Sequence, residues 1–128
     1  MQPTPAPGLI HHLRCCLIVR AMTFTDEVPD SVLDEAARRF SLLSDLTRLK
    51  IVRKLHKCGE CSVSEIAEEA DATLPNVSQH LSRLLAGGIV RRRREGKSVL
   101  YSIADPTVQD ICDVVCSSVL SRAVTDIG

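Results

Sequence analysis

Two short amphipathic segments with almost nothing between them constrain the fold of this chain more than any other feature. The first opens with Ser62-Val63-Ser64-Glu65, a spacing typical of a helix capping box, and ends near Asp71. The second follows Thr73, its predicted N-cap, and carries Pro75 in its first turn, where the missing N–H costs nothing. Two helices joined this tightly predict a helix-turn-helix.

A strongly basic hairpin follows the second of these helices, which Gly87-Gly88 ends. Residues 89–93 and 99–103 are predicted strands around Glu95-Gly96-Lys97. Alternate side chains of a strand face opposite sides, so at most half of the four consecutive arginines, Arg91 to Arg94, can face one row of phosphates.

Charge is distributed unevenly along the chain, although 16 basic and 16 acidic residues give no net charge. Residues 79–101 hold six basic side chains and one acidic side chain, a local balance of +5, and the acids gather elsewhere. This distribution predicts one basic face for DNA phosphates. Only two Phe and one Tyr are present, which disfavours a base-stacking single-strand or RNA binder.

Helix signals also flank the central pair. Ser31 with Asp34 fits a capping box, Asp45 can cap the next helix, and Asp105-Pro106 opens the last one. The predicted order is ααααββα, mainly α with a small β-hairpin wing, which describes a winged helix-turn-helix. We place this domain at residues 26–122, between a flexible N-terminal tail (1–25) and a C-terminal tail (123–128). Met22 is an alternative translation start.

The outward residues of the second helix of the pair are the predicted reading surface, because that helix lies in the major groove of DNA. Asn and Gln can form paired hydrogen bonds with adenine, whereas Ser and Arg more often reach phosphate. A merely solvated polar face is the alternative, and the adjacent basic hairpin favours DNA. The candidates on this helix are Asn76, Ser78, Gln79, His80 and Arg83.

Six cysteines occur without a clean signal peptide or a run that approaches the length of a membrane span. We therefore expect a cytoplasmic protein with no membrane partner, whose thiols are free, metal-binding or redox-active. Cys112 and Cys116 are spaced i,i+4, with Cβ atoms ~6 Å apart on one helix face. Cys58 and Cys61 form a C-x-x-C, a pattern of metal sites and redox motifs. Structural burial of these thiols is the alternative.

The stretches FSLLSDLTRLKIVRKL and CSVSEIAEEADATLPNVSQHLSRLLAGGIVRRRREGKSVLYSI resemble the ArsR/SmtB family of metal- and stress-responsive repressors. The resemblance covers residues 32–120 and departs at Leu46, where the family usually has Pro. It implies a homodimer joined mainly through its first and last helices and bound to an imperfect palindrome in its own promoter. By position it implies base and phosphate contacts from Asn76, Ser78, Gln79 and His80, and phosphate contacts from Arg83, Arg93, Arg94 and Lys97.

The resemblance also implies a signal, since family members usually lose DNA affinity on binding an ion or on thiol oxidation. Thiolates suit Cd(II), Pb(II) or As(III), and no metal is required for DNA binding. Cys15 and Cys16 with Cys58 and Cys61 loosely imitate the site of one cadmium- and lead-sensing branch, and Cys112 with Cys116 is an equal candidate. The alternatives are a thiol-redox or metal-independent regulator of the same fold, and a C-x-x-C thiol enzyme.

Overall fold

The computed structural model of the chain describes residues 28–127. The predicted N-terminal tail, with Cys15, Cys16 and Met22, lies outside these residues. The chain divides into two units, residues 1–36 and 37–128, with the boundary inside the first helix. The elements are α1 (Asp30–Leu43), α2 (Leu46–Cys58), β1 (Glu60–Ser62), α3 (Val63–Ala70), α4 (Leu74–Ala86), β2 (Val90–Glu95), β3 (Ser98–Ile103) and α5 (Pro106–Ile127).

Helix α1 begins one residue before the predicted cap. Ser31 is already helical, and the backbone N–H groups of Val32 and Leu33 donate to the carbonyl of Pro29 at 3.0 and 3.2 Å. The first turn is therefore closed by a backbone carbonyl, and the prediction of a Ser31 cap is wrong. Val32 and Leu33 are exposed.

The other predicted caps are confirmed. The Asp45 carboxylate accepts a hydrogen bond from the backbone N–H of Arg48 at 3.0 Å, which starts α2. Ser62 and Glu65 form a reciprocal capping box at the start of α3, and Thr73 caps α4. Each of these side chains satisfies a backbone N–H that has no partner inside its helix. Local chemistry thus sets where three of the helices begin.

A third strand extends the predicted hairpin into a three-stranded antiparallel sheet in the order β1-β3-β2. The short β1 places Cys61 opposite Tyr101 on β3, and β2 places Arg92 opposite Tyr101 from the other side. The predicted order lacked this strand. Its three residues are too few to show a strand alternation, and it forms by pairing with residues about forty positions along the chain.

The core fills the space between α2, α3, α4 and the sheet. Ile51, Leu55, Ile66, Leu81 and Leu84 have at most 1% of their surface exposed. Fully burying an aliphatic side chain of this kind stabilises the fold by about 1.5–3 kcal/mol, so these contacts fix how α4 and the wing are held. A Cβ atom on Gly87 would collide with the side chain of Leu42, so the turn between α4 and β2 packs closely against the end of α1.

Helix α5 continues to Ile127, through residues 123–127 that the sequence assigned to a tail. Val108 near its start is buried in the core, whereas residues 113–126 are all exposed. Within residues 28–127, no helix combines the length and apolar character needed to cross a membrane.

Candidate nucleic-acid interface and cysteine sites

Helix α4 separates its buried and exposed residues cleanly. Val77, Leu81 and Leu84, spaced four and three residues apart, are fully buried against the core. Four of the five predicted DNA-contacting side chains of this helix are exposed on its remaining surface: Asn76, Ser78, Gln79 and Arg83. Asn76, Gln79 and Arg83 follow one another at helical spacing, so they form a single row. This row can present amide and guanidinium donors to one ligand.

His80 is the exception among the predicted contacts on α4. Its side chain is 18% exposed, and its Nδ1 lies 3.3 Å from an Arg48 guanidinium nitrogen and 4.0 Å from an Asp45 carboxylate oxygen. The ring thus contacts the start of α2. Position 80 stands three residues after Val77 and four before Leu84, at the edge of the buried stripe, which is the sequence signal for this inward placement.

Arg48 forms the junction between three helices. Its Nε donates to the carbonyl of Leu42 at 2.5 Å and a terminal nitrogen donates to the carbonyl of Ser41 at 3.4 Å, while the opposite nitrogen faces His80. Two carbonyls in the last turn of α1 are thereby satisfied by a cation, which complements the negative end of the helix dipole. Arg48 therefore positions α4 relative to α1 and α2.

The wing distributes its arginines over two faces. Because directly paired residues of antiparallel strands point to the same side, Arg92 and Arg94 share the side of Tyr101, and Arg91 and Arg93 the opposite side. All four side chains and Lys97 in the turn are exposed. Half of the arginine run can therefore act together on one ligand surface.

Arg93 differs from the other predicted phosphate contacts because its charge is already paired. Its Nε and a terminal nitrogen donate to the two carboxylate oxygens of Glu60, both at 2.6 Å, and the same terminal nitrogen donates to Glu95 at 2.9 Å. Hydrogen bonding to Arg93 lowers the pKa of Glu60, and the Glu60 carboxylate in turn raises the pKa of Arg93. A phosphate that binds Arg93 must displace these two carboxylates.

The cysteines of the C-x-x-C are joined in this structure. A disulfide links Cys58, the last residue of α2, to Cys61 in β1, with 6.3 Å between the two Cα atoms. Cys58 is exposed and Cys61 is completely buried in the core. Gly59 between them has a φ of 77°, a conformation that side chains rarely adopt, so glycine is required for this turn.

Cys112 and Cys116 are free thiols on α5. They line a groove of about 390 Å³ between α5 and α2, where Leu49, Val52 and His56 form the opposite wall. Burial raises the pKa of the Cys112 thiol, and the neighbouring Cys116 and Asp113 raise it further. Among residues 28–127, no three His, Cys, Asp or Glu side chains converge closely enough to hold a metal ion. With the Cys58–Cys61 disulfide closed, Cys112 and Cys116 are the two free thiols among the described residues.

Comparison with known proteins assigns these features to a family. The family pattern for "Bacterial regulatory protein, arsR family" matches residues 45–92. A "Probable mercury resistance operon repressor" from Streptomyces lividans is 44% identical over 87 residues, which cover 68% of this chain and 69% of that protein. The chain belongs to the arsR family.

Solved structures agree with the fold of this arsR-family protein. The homodimeric winged helix-turn-helix DNA-binding domain of a Mycobacterium bovis protein is 30% identical with a TM-score of 0.65, over 84% of this chain and 96% of that one. The antimony-specific repressor AntR superposes with a TM-score of 0.72 at 24% identity, over 80% of this chain and 93% of that one. The winged helix-turn-helix prediction is confirmed.

Membership also decides the class of function. The family and its relatives are DNA-binding transcriptional regulators, so the chain is a regulator and not an enzyme. The C-x-x-C thiol enzyme, one of the alternatives considered from the sequence, is therefore excluded.

Two functional side chains of this arsR-family regulator were not singled out from its sequence. Arg48 stands one helical turn after the Asp45 cap, and Glu60 stands inside the C-x-x-C. Each acts on a residue at least thirty positions away, His80 and Arg93 respectively, so local patterns carry no signal for either pair.

Proposed function

We propose that this arsR-family repressor acts as a homodimer in the bacterial cytoplasm on a palindromic operator in its own promoter. Helix α4 enters the major groove with Asn76 and Gln79 at base edges, and Ser78 and Arg83 contact the flanking phosphates. The observation that carries this proposal is the exposed row on α4, held by a fully buried opposite face and followed directly by the basic wing.

The wing supplies the phosphate clamp of the proposed complex. Arg94 and Lys97 are exposed, as is Arg92 on the same side of the sheet as Arg94. Arg93 joins them only when Glu60 and Glu95 release it. His80 supports the complex by fixing α4 through Arg48 rather than by reaching a base.

A second copy of the chain covers the exposed apolar side of α5 in this proposal. Val114, Val115, Val119 and Leu120 are 55–65% exposed, and Phe40 on α1 is 57% exposed. Several large apolar side chains left exposed on one helix favour an interaction site. The similar Mycobacterium bovis domain is homodimeric, which supports a self-complementary contact here.

DNA binding is tested by fluorescence anisotropy of the reduced protein on its own promoter and on a scrambled duplex of the same length. We expect the promoter to bind ~10³-fold tighter at equal salt. Gln79→Ala should reduce this preference, whereas Arg94→Ala and Lys97→Ala should weaken both duplexes equally and each lower the salt slope by about 1. Lys57→Ala, whose ammonium is paired with Glu69, is the control. Equal affinity for both duplexes would refute the proposal.

We further propose that a thiophilic metal or metalloid ion releases the repressor from DNA by binding Cys112 and Cys116. Soft cations such as Hg(II), Cd(II), Pb(II) and As(III) prefer thiolate ligands. A relative of this chain is a mercury resistance operon repressor by name, which supports this class of ligand. Cys58 and Cys61 form a disulfide, whereas Cys112 and Cys116 are free thiols, which favours the α5 pair as the ligands of the ion.

The location of these two thiols explains how an ion would change DNA affinity. They stand on the helix that we assign to the dimer contact and face α2, which holds Arg48 and the N-cap Asp45. An ion that favours one arrangement of α5 against α2 therefore shifts the two recognition helices of a dimer. Because the pKa of Cys112 is raised, the ion displaces a proton, and its affinity should increase with pH.

Titration of the reduced protein–DNA complex with Hg(II), Cd(II) and arsenite, followed by anisotropy and thiolate–metal absorbance, tests this site. We expect DNA release together with a thiolate band for at least one ion, and loss of both in Cys112→Ser and Cys116→Ser. Cys58→Ser is the matched control and should respond like the wild type. Tight DNA binding that ignores all three ions would refute the metal proposal and leave the DNA-binding proposal standing.

A further inference from the structure

We propose that Cys58 and Cys61 form a thiol–disulfide exchange site for low-molecular-weight disulfides, and that Glu60 between them transmits its state to Arg93 in the wing. The proposal rests on the proposed function, because its output is DNA affinity. It concerns a different pair of thiols from the α5 site. The observation that carries it is one loop containing both the disulfide and the carboxylate that holds a wing arginine.

The two sulfurs have opposite environments, as an exchange site requires. Cys58 ends α2 and is exposed, so its sulfur can meet a small disulfide or thiol in solution. Cys61 is completely buried beside Tyr101, its partner on β3. Thiol–disulfide exchange proceeds by attack on an accessible sulfur and depends on access to the reacting atoms. Cys58 is therefore the attacking residue and Cys61 the resolving one.

The exchange balances without any group from elsewhere in the protein. The Cys58 thiolate attacks one sulfur of a disulfide RSSR, forms a mixed disulfide and releases RS⁻. The Cys61 thiolate then attacks the Cys58 sulfur, closes the protein disulfide and releases the second RS⁻. Two electrons pass from the two cysteines to RSSR, and the two cysteine protons end on two molecules of RSH. A small thiol such as glutathione reverses the reaction by attacking the exposed Cys58 sulfur.

Two residues, Gly59 and Glu60, lie between the cysteines that this disulfide joins. Bridging the ends of the loop limits its backbone conformations, and Glu60 is thereby held in β1 opposite Ser102. Glu60 and Arg93 lie on the same outer face of the sheet, on the two strands that flank β3, because their partners Ser102 and Leu100 are two residues apart. The Arg93 side chain crosses β3 to reach the carboxylate.

The state of the disulfide consequently changes the charge that the wing offers to DNA. With the ring closed, Glu60 holds both donors of the Arg93 fork, and the guanidinium is neutralised. With the ring open, the Gly59-Glu60 segment gains freedom, and holding the carboxylate in place costs more entropy. A phosphate then competes more successfully for Arg93. Glu95 pairs with Arg93 whatever the state of the disulfide, so reduction adds at most about one phosphate contact per protomer, and oxidation removes it.

The test compares reduced protein with protein oxidised by glutathione disulfide, using anisotropy on the promoter duplex across a range of salt concentrations. We expect the oxidised protein to bind roughly three- to tenfold more weakly, with a salt slope smaller by about 0.9 for each protomer that loses a contact. Intact mass confirms that the Cys58–Cys61 bridge is the modification compared. Thermal unfolding of each sample confirms that it is folded.

Three variants separate this mechanism from a general effect of oxidation. Glu60→Gln should bind at least as tightly as the reduced wild type in both states, and Arg93→Gln like the oxidised wild type in both states. Cys58→Ser, which avoids substitution in the core, should bind like the reduced wild type whatever the oxidant. The Cys112→Ser/Cys116→Ser double variant is the control and should keep the full difference.

Equal affinities of the oxidised and reduced wild type would overturn the exchange proposal, as would a full redox response in Glu60→Gln. Either result is distinct from failure of the proposed function. That failure would appear as loss of promoter preference in the fully reduced wild type.

Discussion

Residues 45–103 and the second half of α5 contain the same kinds of apolar residue in opposite environments. In the first region, Val77, Leu81 and Ile66 are completely buried. In the second, Val115, Val119 and Val124 are 55–71% exposed, and residues 113–126 are exposed without exception. The first region buries its apolar residues within one chain, and the second does not.

The difference teaches that apolar residues in a helix indicate a need for cover, and do not show what covers them. In α4 the pattern finds its partner in α2, α3 and the sheet of the same chain. In α5 the described residues of one chain leave the apolar side chains beyond Cys112 uncovered, and these do not follow one stripe. A second protomer, as proposed above, resolves the contrast.

The largest expected effect on stability is in residues 45–103, where the apolar side chains are buried. Leu81→Ala removes a fully buried side chain from the contact between α4 and the core, so we expect the free energy of unfolding to fall by about 3 kcal/mol. Urea unfolding monitored by circular dichroism measures it. Val119→Ala, 61% exposed, is the matched control and should change the stability of dilute, monomeric protein by less than ~0.5 kcal/mol. Equal losses for both would remove the contrast between the regions.

The next effect tests how strongly Arg48 holds α4 against α1 and α2. Arg48→Ala removes the cation that holds Leu42, Ser41 and His80, and we expect a loss of about 2 kcal/mol in the free energy of unfolding. DNA affinity should fall with the salt slope unchanged, because Arg48 acts through position and not on phosphate.

Two comparisons check this role of Arg48. Arg53→Ala, on the same helix with a surface pair to Glu69, should cost no more than about 0.5 kcal/mol. Arg48→Ala and His80→Ala should show non-additive effects on DNA affinity, since both remove one contact. Additive effects, or a salt slope lowered by Arg48→Ala, would indicate a direct phosphate contact instead.

A smaller effect, on dimer dissociation, is expected in the second half of α5, where the apolar side chains are exposed. Val119→Asp places a charge on the uncovered surface of α5, so we expect the dissociation constant of the dimer to rise at least about tenfold, equivalent to ~1.4 kcal/mol. Sedimentation velocity over a range of protein concentrations measures it, and helix content should not change. Asp126→Ala, near the end of the same helix, serves as the control. An unaltered dimer would show that this surface is not the contact between protomers.

The smallest effect concerns acid stability of the wing. The pKa of Glu60 is lowered in the folded protein from its ordinary value of 4.5 by hydrogen bonding to Arg93, so the pair stabilises the fold above that pH. Its contribution is lost as the pH falls below about 4.5 and through the lowered value. Thermal unfolding of wild type and Glu60→Gln should therefore differ slightly at pH 7 and converge at acidic pH, below the lowered pKa of Glu60. A constant difference at both pH values would contradict the ion-pair account.

The features that depend on local chemistry could be predicted from the sequence. The caps Asp45, Ser62 and Thr73, the ends of α4 and the alternation of the wing arginines all follow from residues within a few positions of one another. The features that could not be predicted depend on contacts between residues far apart in the sequence. Strand β1 requires β3, and the Glu60–Arg93 fork spans 33 positions.

The thiols illustrate the same limit. Their spacing indicated two candidate pairs, and nothing in the sequence distinguished a bridged pair from a free one. In the folded chain the turn at Gly59 lies between the bridged Cys58 and Cys61, and Cys61 is buried, which is a property of the assembled core. The DNA contacts and the choice of metal stay predictions.

The fork between Glu60 and Arg93 also bears on how a repressor finds one site among millions. Every phosphate contact is made as readily on random sequence as on an operator, so each unpaired arginine lengthens the time spent on the wrong DNA. The genome offers ~10⁶ or more such competing positions. If the proposed complex forms, the arginine that Glu60 neutralises is withheld from that competition, and the chain should bind random DNA more weakly than four unpaired arginines would.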